Sequence, residues 1–259
     1  MSEILKIAII QTDLIWENPE QNRANLAIKI EGIENDVDLI ILPEMFTSGF
    51  TMQPNKVSET MSGVTVSWLK ELALKKNSAI SGSLVIEENN KYYNRLLFVF
   101  PNGSLKTYDK RHTFTLAGEH KLYTAGSEKL IVDYKGWKLC PLICYDLRFP
   151  VWARNVETYD LLFYVANWPK PRIEAWSSLL KARAIENMCY CIGVNRIGTD
   201  SNGHEYTGDS VAFDALGCQI SNIKLHEETT EIITISKVIL SRTRKKFKFL
   251  DDIDKFTIK

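Results

Sequence analysis

Short apolar runs bounded by turn residues recur along the chain, separated by stretches whose apolar positions fall at helical spacing. Residues 6–11, 37–42, 79–86, 161–166 and 188–195 are such runs, each read as a buried strand. Residues 211–217 read as a strand and then a turn, and residues 232–235 as one more strand. Asn18-Pro19-Glu20 supplies a cap, an N1 proline and an acidic first turn, predicting a helix to about residue 34. Helices are also predicted over 65–76 and 174–187, the second with Trp176, Leu179, Leu180 and Arg183 at helical spacing. Residues 88–91 form a polar turn, and Asn102-Gly103 predicts a hairpin between 92–100 and 105–108. Lys135-Gly136 makes another turn. There is no linker, low-complexity segment or fixed-period repeat. Strands alternate with helices in places and form hairpins in others, so the expectation is one α/β domain with mixed sheets.

The stretch from Leu139 to Pro150, LCPLICYDLRFP, carries the most chemistry. Residues 137–143 read as a buried strand, and Pro150 opens a helical pattern through Trp152 and Val156. Cys144 therefore stands at a strand end. There it is either an exposed nucleophile, as on a nucleophile elbow, or a small buried hydrophobe; the stretch alone balances the two. A helix N-terminus nearby would lower its pKa and favour the thiolate.

Composition narrows the setting. The chain has 259 residues, 45% hydrophobic and 25% charged, ordinary for a globular protein with a large core. Its net charge of zero gives no global electrostatic case for nucleic acid or for an anionic membrane. Five cysteines, an odd number without metal-ligand spacing, fit a reducing compartment better than a disulfide framework, and no metal site is expected. Cys189 and Cys191 alternate along a strand and read as core. The apolar run near Met1 is too short for a signal peptide or a membrane span, so the cytoplasm is the default expectation.

None of His112, His120, His204 and His226 stands in an obvious catalytic frame with Cys144. Glu44 follows a buried strand and a proline, and Lys110 follows the strand that ends near Tyr108. Each alone reads as a solvated surface charge. Three such strand ends together point to a site, because open α/β sheets build sites at the carboxyl ends of their strands.

Leu42-Pro43-Glu44-Met45-Phe46, Tyr108-Asp109-Lys110-Arg111-His112 and Leu142-Ile143-Cys144-Tyr145-Asp146-Leu147-Arg148-Phe149-Pro150 together resemble the nitrilase (carbon–nitrogen hydrolase) superfamily. The resemblance covers essentially the whole chain. It implies a four-layer α-β-β-α sandwich with two mixed sheets and a Glu–Lys–Cys catalytic set, usually dimeric, with neither metal nor organic cofactor. Glu119, in Ala117-Gly118-Glu119-His120, matches the family's additional active-site glutamate. In that scheme Cys144 is the nucleophile and Glu44 the base. The Lys110 ammonium and the Tyr145 backbone N–H face the oxyanion, and Glu119 holds Lys110 or assists the base.

Asn167-Trp168-Pro169-Lys170-Pro171-Arg172, with Gly193-Val194-Asn195-Arg196 further on, is similar to the ω-amidase branch. That branch hydrolyses the terminal amide of 2-oxoglutaramate and of short dicarboxylic monoamides such as 2-oxosuccinamate and succinamate. The products are the acid and ammonia, formed through a cysteine thioester. A small pocket needs a cation for the substrate carboxylate; Arg172 is the candidate, against the alternative that it caps the following helix. Asn167 is a candidate substrate-binding residue, and Phe46, Phe114, Tyr145 and Trp168 are candidate walls, or simply core. Arg183 and Glu186, one turn apart, are expected to form a structural ion pair. The basic run from Arg242 to Phe249 precedes Asp251-Asp252 and reads as part of a solvated tail beginning near residue 241. By resemblance such tails pack against a dimer partner, and a homodimer is expected. Another superfamily hydrolase (an aliphatic amidase, an N-carbamoyl amino acid hydrolase or a nitrilase) and a non-catalytic binding protein on the same fold remain as alternatives.

Overall fold

The computed structural model describes residues 3–33 and 36–258. The first half runs β1 (Ile4–Gln11), α1 (Pro19–Glu31), β2 (Leu39–Ile41), α2 (Pro54–Val57), α3 (Val64–Lys76), β3 (Ala79–Glu88), β4 (Lys91–Val99) and β5 (Leu105–Asp109). There follow α4 (Glu119–Leu122), β6 (Val132–Tyr134), β7 (Trp137–Ile143), α5 (Pro150–Ala153), β8 (Leu161–Ala166) and α6 (Ile173–Asn187). The chain ends with β9 (Tyr190–Asn195), β10 (Ile197–Thr199), β11 (Glu205–Thr207), β12 (Val211–Phe213), β13 (Thr229–Ser236) and α7 (Lys237–Phe247).

Two mixed sheets result, ordered β13-β1-β2-β3-β4-β5 and β12-β9-β8-β7-β6, with β10 and β11 as a separate hairpin. Side chains alternate along a strand, and β1 uses both faces. Leu5, Ile7 and Ile9 point into the core between the sheets, where they join Leu139 of β7 and Phe163 of β8. Ala8 and Ile10 face the other way, against Leu26 and Ile30 of α1 and Leu69 of α3. Trp176, Leu180 and Ala184 of α6 cover the second sheet. The layers are therefore α-β-β-α, and a sheet covered on both faces explains the continuous apolar runs. β13 closes the first sheet by pairing antiparallel along all of β1, from Ile4 opposite Ser236 to Gln11 opposite Thr229.

β1, β2 and β3 are parallel, as are β7, β8 and β9, and two antiparallel steps bring β5 parallel to β3. The carboxyl ends of β2, β5, β7 and β8 carry Glu44, Lys110, Cys144 and Asn167 respectively.

Asn18 caps α1 by accepting from the Gln21 N–H at 3.1 Å. The helix stops at Glu31, and its expected end at residue 34 lies outside the described residues. The pattern opened by Pro150 stops after one turn: Arg154 turns to an extended ψ of 132°, and the Asn155 amide donates to the Tyr159 carbonyl instead. Met188 is not part of a strand; it caps α6 in the left-handed conformation, at φ 45° and ψ 49°. The basic run is the end of α7 rather than a free tail. Leu240 is buried, and Arg244 donates to Asp160 Oδ1 at 3.1 Å and to the carbonyls of Met188 and Tyr159. Arg183 pairs with Glu186 at 2.9 Å and also donates to the Leu147 carbonyl.

Candidate active site

Glu44 follows β2 on a tight turn in which Met45 takes φ 42° and donates its N–H to Ser83 Oγ. That turn sends Phe46 to the far side of the sheet. Phe46 is therefore not a wall of the site: it is fully buried under α3, its ring 6.2 Å from Trp68 and packed over Gly82. Only a glycine fits there, since a Cβ on Gly82 would come within 2.8 Å of the Phe46 ring.

The Lys110 backbone is pinned between the Asn94 carbonyl, to which its N–H donates, and the Gly126 N–H, from which its own carbonyl accepts. Its ammonium is buried and donates to Glu44 Oε1 at 2.9 Å and to Glu119 Oε2 and Oε1 at 3.0 and 3.1 Å. The Asn94 amide donates to Glu44 Oε1 at 2.8 Å. Glu44 Oε2 accepts from the Asn167 N–H at 2.8 Å, while the Asn167 side-chain amide donates to the Glu44 carbonyl at 2.6 Å. Glu119 is anchored by the Phe114 N–H. Two carboxylates thus share one ammonium in a dry setting, where each depends on its partners.

Cys144 opens a short 3-10 turn (Cys144–Arg148) at φ 42°, an uncommon and strained conformation for a residue with a Cβ. Burial, then the charge of Glu44, pushes its thiol well above the ordinary cysteine range, against the opposing pull of Lys110. This corrects the expectation of a thiolate stabilised by a helix end. The turn is a single short 3-10 segment, and the Glu44 carboxylate outweighs the Lys110 ammonium in its effect on the thiol. The thiol stands beside the Glu44 carboxylate. Burial also works against the Lys110 ammonium, but Glu119 and Glu44 outweigh it and hold its pKa above the usual lysine value. Glu119 is raised by burial and by Glu44, with Lys110 pulling the other way.

A cavity of about 400 Å³ opens over Cys144 and Lys110. Phe114, Tyr145, Asn167, Trp168 and Arg172 are among the residues that line it. Phe114 and Tyr145 meet edge to face at 4.9 Å; the Arg172 guanidinium lies 5.2 Å over Phe114, and the Trp168 indole N–H donates to the Arg172 carbonyl. Sequence reasoning missed Phe50, whose ring lies 5.1 Å from Lys110 Nζ, and Arg148, stacked 5.0 Å over Trp168. It also missed the rim formed by Asp200, Asn202, His204 and Tyr206 around the β10–β11 hairpin. Gly203, at φ 80°, was the available signal for that turn. Asp200 is satisfied within the hairpin by the Tyr206 hydroxyl at 2.8 Å, whereas Arg148 and Arg172 have no acidic partner among the described residues.

Among the described residues there is no cluster of three or more His, Cys, Asp or Glu able to hold a metal, and no helix long and apolar enough to cross a membrane. The arrangement brings a thiol, a carboxylate and an ammonium together at one end of a cavity, with two guanidiniums that have no acidic partner among the described residues also on its lining.

The family model described as "Carbon-nitrogen hydrolase" matches residues 6–245. "Omega-amidase YafV" of Escherichia coli (strain K12) is 43% identical over 254 residues, covering 98% of each chain. "2-oxoglutaramate amidase" of Bacillus subtilis (strain 168) is 35% identical over 216 residues, covering 82% of this chain and 83% of its own. Among solved structures, XC1258 from Xanthomonas campestris, a CN-hydrolase superfamily protein with an arsenic adduct in its active site, superposes with a TM-score of 0.97. The two are 42% identical, and the match covers 100% of both chains.

Proposed function

The chain belongs to the carbon–nitrogen hydrolase family, and on that premise we propose that it is an ω-amidase with Cys144 as its nucleophile. It hydrolyses the terminal amide of 2-oxoglutaramate or of a short dicarboxylic monoamide to the acid and ammonia. Relatives that carry the names ω-amidase and 2-oxoglutaramate amidase along nearly the same length support this substrate class. One observation carries the mechanism: Lys110 Nζ lies 2.9 Å from Glu44 on the floor of the cavity that holds Cys144.

Glu44 takes the thiol proton as Cys144 attacks the amide carbonyl. The oxyanion forms against the Lys110 ammonium and the Tyr145 N–H; each such donor is worth about 3–4 kcal/mol in the transition state. Glu44 returns the proton to the departing ammonia and then activates the water that cleaves the thioester. Glu119 holds Lys110 in place. Arg172, which has no acidic partner among the described residues, is the cation that meets the substrate carboxylate, with Phe114, Tyr145 and Trp168 excluding water from the pair. Five free cysteines support a reducing, cytoplasmic setting, and we extend the reading to one catalytic domain working as a homodimer.

Ammonia release from 2-oxoglutaramate and succinamate tests this directly, and Cys144→Ala is expected to be inert on both. Silence of the native enzyme on both, with turnover of a nitrile or an N-carbamoyl amino acid, would move it to another branch. Arg172→Gln is expected to raise KM for succinamate by about 10- to 100-fold at nearly constant kcat, the scale of one charged hydrogen bond. An unchanged KM would remove Arg172 from the role.

A further inference from the structure

Asp146 is fully buried two residues beyond Cys144, and no step above uses it. Its Oδ2 accepts from the Tyr108 hydroxyl at 2.7 Å and from the Ile143 N–H at 3.1 Å. Its Oδ1 accepts from the His112 N–H at 3.0 Å and stands 2.8 Å from His112 Nδ1. A carboxylate oxygen only accepts, so this contact keeps a proton on Nδ1. The Tyr108 hydroxyl accepts in turn from the Trp152 indole N–H at 3.0 Å and the Arg111 N–H at 3.2 Å. The His112 ring lies flat on Phe149 at 3.7 Å.

The order of these residues along the chain gives the network its meaning. Ile143 and Asp146 flank Cys144 and Tyr145, so the Asp146 side chain closes the turn that holds Cys144 at φ 42° and aims the Tyr145 N–H. Tyr108, Arg111 and His112 flank Lys110. One carboxylate therefore ties the end of β5, in the first sheet, to the end of β7, in the second. We propose that Asp146 and His112 are a positioning pair that sets Lys110 and the Tyr145 N–H against Cys144. Neither lines the cavity, so they act through the groups they hold. Misplacing a reacting group by about 1 Å costs on the order of 10²-fold in rate, which sets the scale of the effect.

The inference rests on Cys144 being the nucleophile, and the test separates the two. His112→Phe keeps a ring on Phe149 but loses the Nδ1–H donor; His112→Asn loses the ring but keeps a donor near the Nδ1 position. On succinamate, His112→Phe is expected to lose about 10- to 100-fold in kcat with KM within about twofold of native. His112→Asn is expected to recover part of that kcat, even where its melting temperature is the lower of the two. Native kcat in His112→Phe, or a kcat for His112→Phe above that of His112→Asn, would overturn the inference by making the ring a packing element. Cys144→Ala run alongside tells the failures apart. If it is inert while His112→Phe turns over at the native rate, only the positioning pair falls. If it retains turnover, the nucleophile and the pair fall together.

Discussion

Glu44→Gln loses ammonia release by about 10²- to 10⁴-fold while the chain still folds, the span associated with removing a positioned base. The amide keeps the shape of the carboxylate and one acceptor oxygen, which can still serve Lys110 and Asn94. Its NH2 group then faces the Asn167 N–H, leaving one buried donor unpaired at a cost of about 1–3 kcal/mol. Glu119 continues to pair Lys110. The thiol responds in the opposite sense. The Glu44 charge is one of the causes that raise Cys144, so its removal lowers the thiol pKa and leaves Lys110 to favour thiolate. Iodoacetamide labelling of Cys144 near neutral pH is therefore faster in the variant than in the native enzyme, while turnover is nearly absent. Loss of both together would indicate a collapsed site, and near-native ammonia release would remove Glu44 from the role of base.

Lys110→Met damages both the stability and the turnover of the site. The ammonium is the cation between Glu44 and Glu119, and all three groups are buried. Removing one member of such a set costs about 3–5 kcal/mol, because the charges left behind are neither hydrated nor paired. Turnover falls by about 10²- to 10³-fold as well, through loss of an oxyanion donor. The pH dependence has a definite sign. Glu119 already lies above the usual carboxylate value because of burial and Glu44, and Lys110 is what pulls it down. Without Lys110 it rises further. A carboxyl whose folded pKa exceeds its unfolded one adds stability below the unfolded pKa and loses it as pH rises through the folded one. The variant is accordingly nearest to native stability below about pH 4 and falls behind towards neutrality. Urea unfolding at acid and at neutral pH measures this, and an equal deficit at both would argue against a shared buried charge.

The strand ends were legible because a strand covered on both faces leaves an unbroken apolar run. β7 and β8 begin and end where those runs do, which made the strand end at Cys144 legible, whereas Asn167 was marked only by the resemblance of 167–172. Features fixed by a single dihedral angle were not legible. The left-handed Met45 decides that Phe46 turns to the outer face, yet its side chain is as apolar as its neighbours. Met188 continues an apolar run in sequence and ends a helix in space. The positive charge of 242–248 hid the apolar side of α7, where Leu240 is buried. Arg148 and the β10–β11 rim belong to the site only through tertiary placement, so no local pattern announced them. The rise in the thiol pKa has the same origin, since the burial that chiefly causes it and the Glu44 charge that adds to it both come from bringing the two sheets together.

The pairing of β13 with β1 also sets a schedule for synthesis. β1 leaves the ribosome long before the strand that will cover its outer edge, because Ile4 waits for Ser236 and Gln11 for Thr229. Throughout that interval the edge of an apolar strand stays open, the usual template for pairing with a neighbouring chain. Contacts so distant in sequence also form slowly, since the long loop must close before they contribute. Aggregation during translation, rather than loss of the finished fold, is the hazard this topology creates, and shielding of the nascent β1 edge is the assistance it calls for.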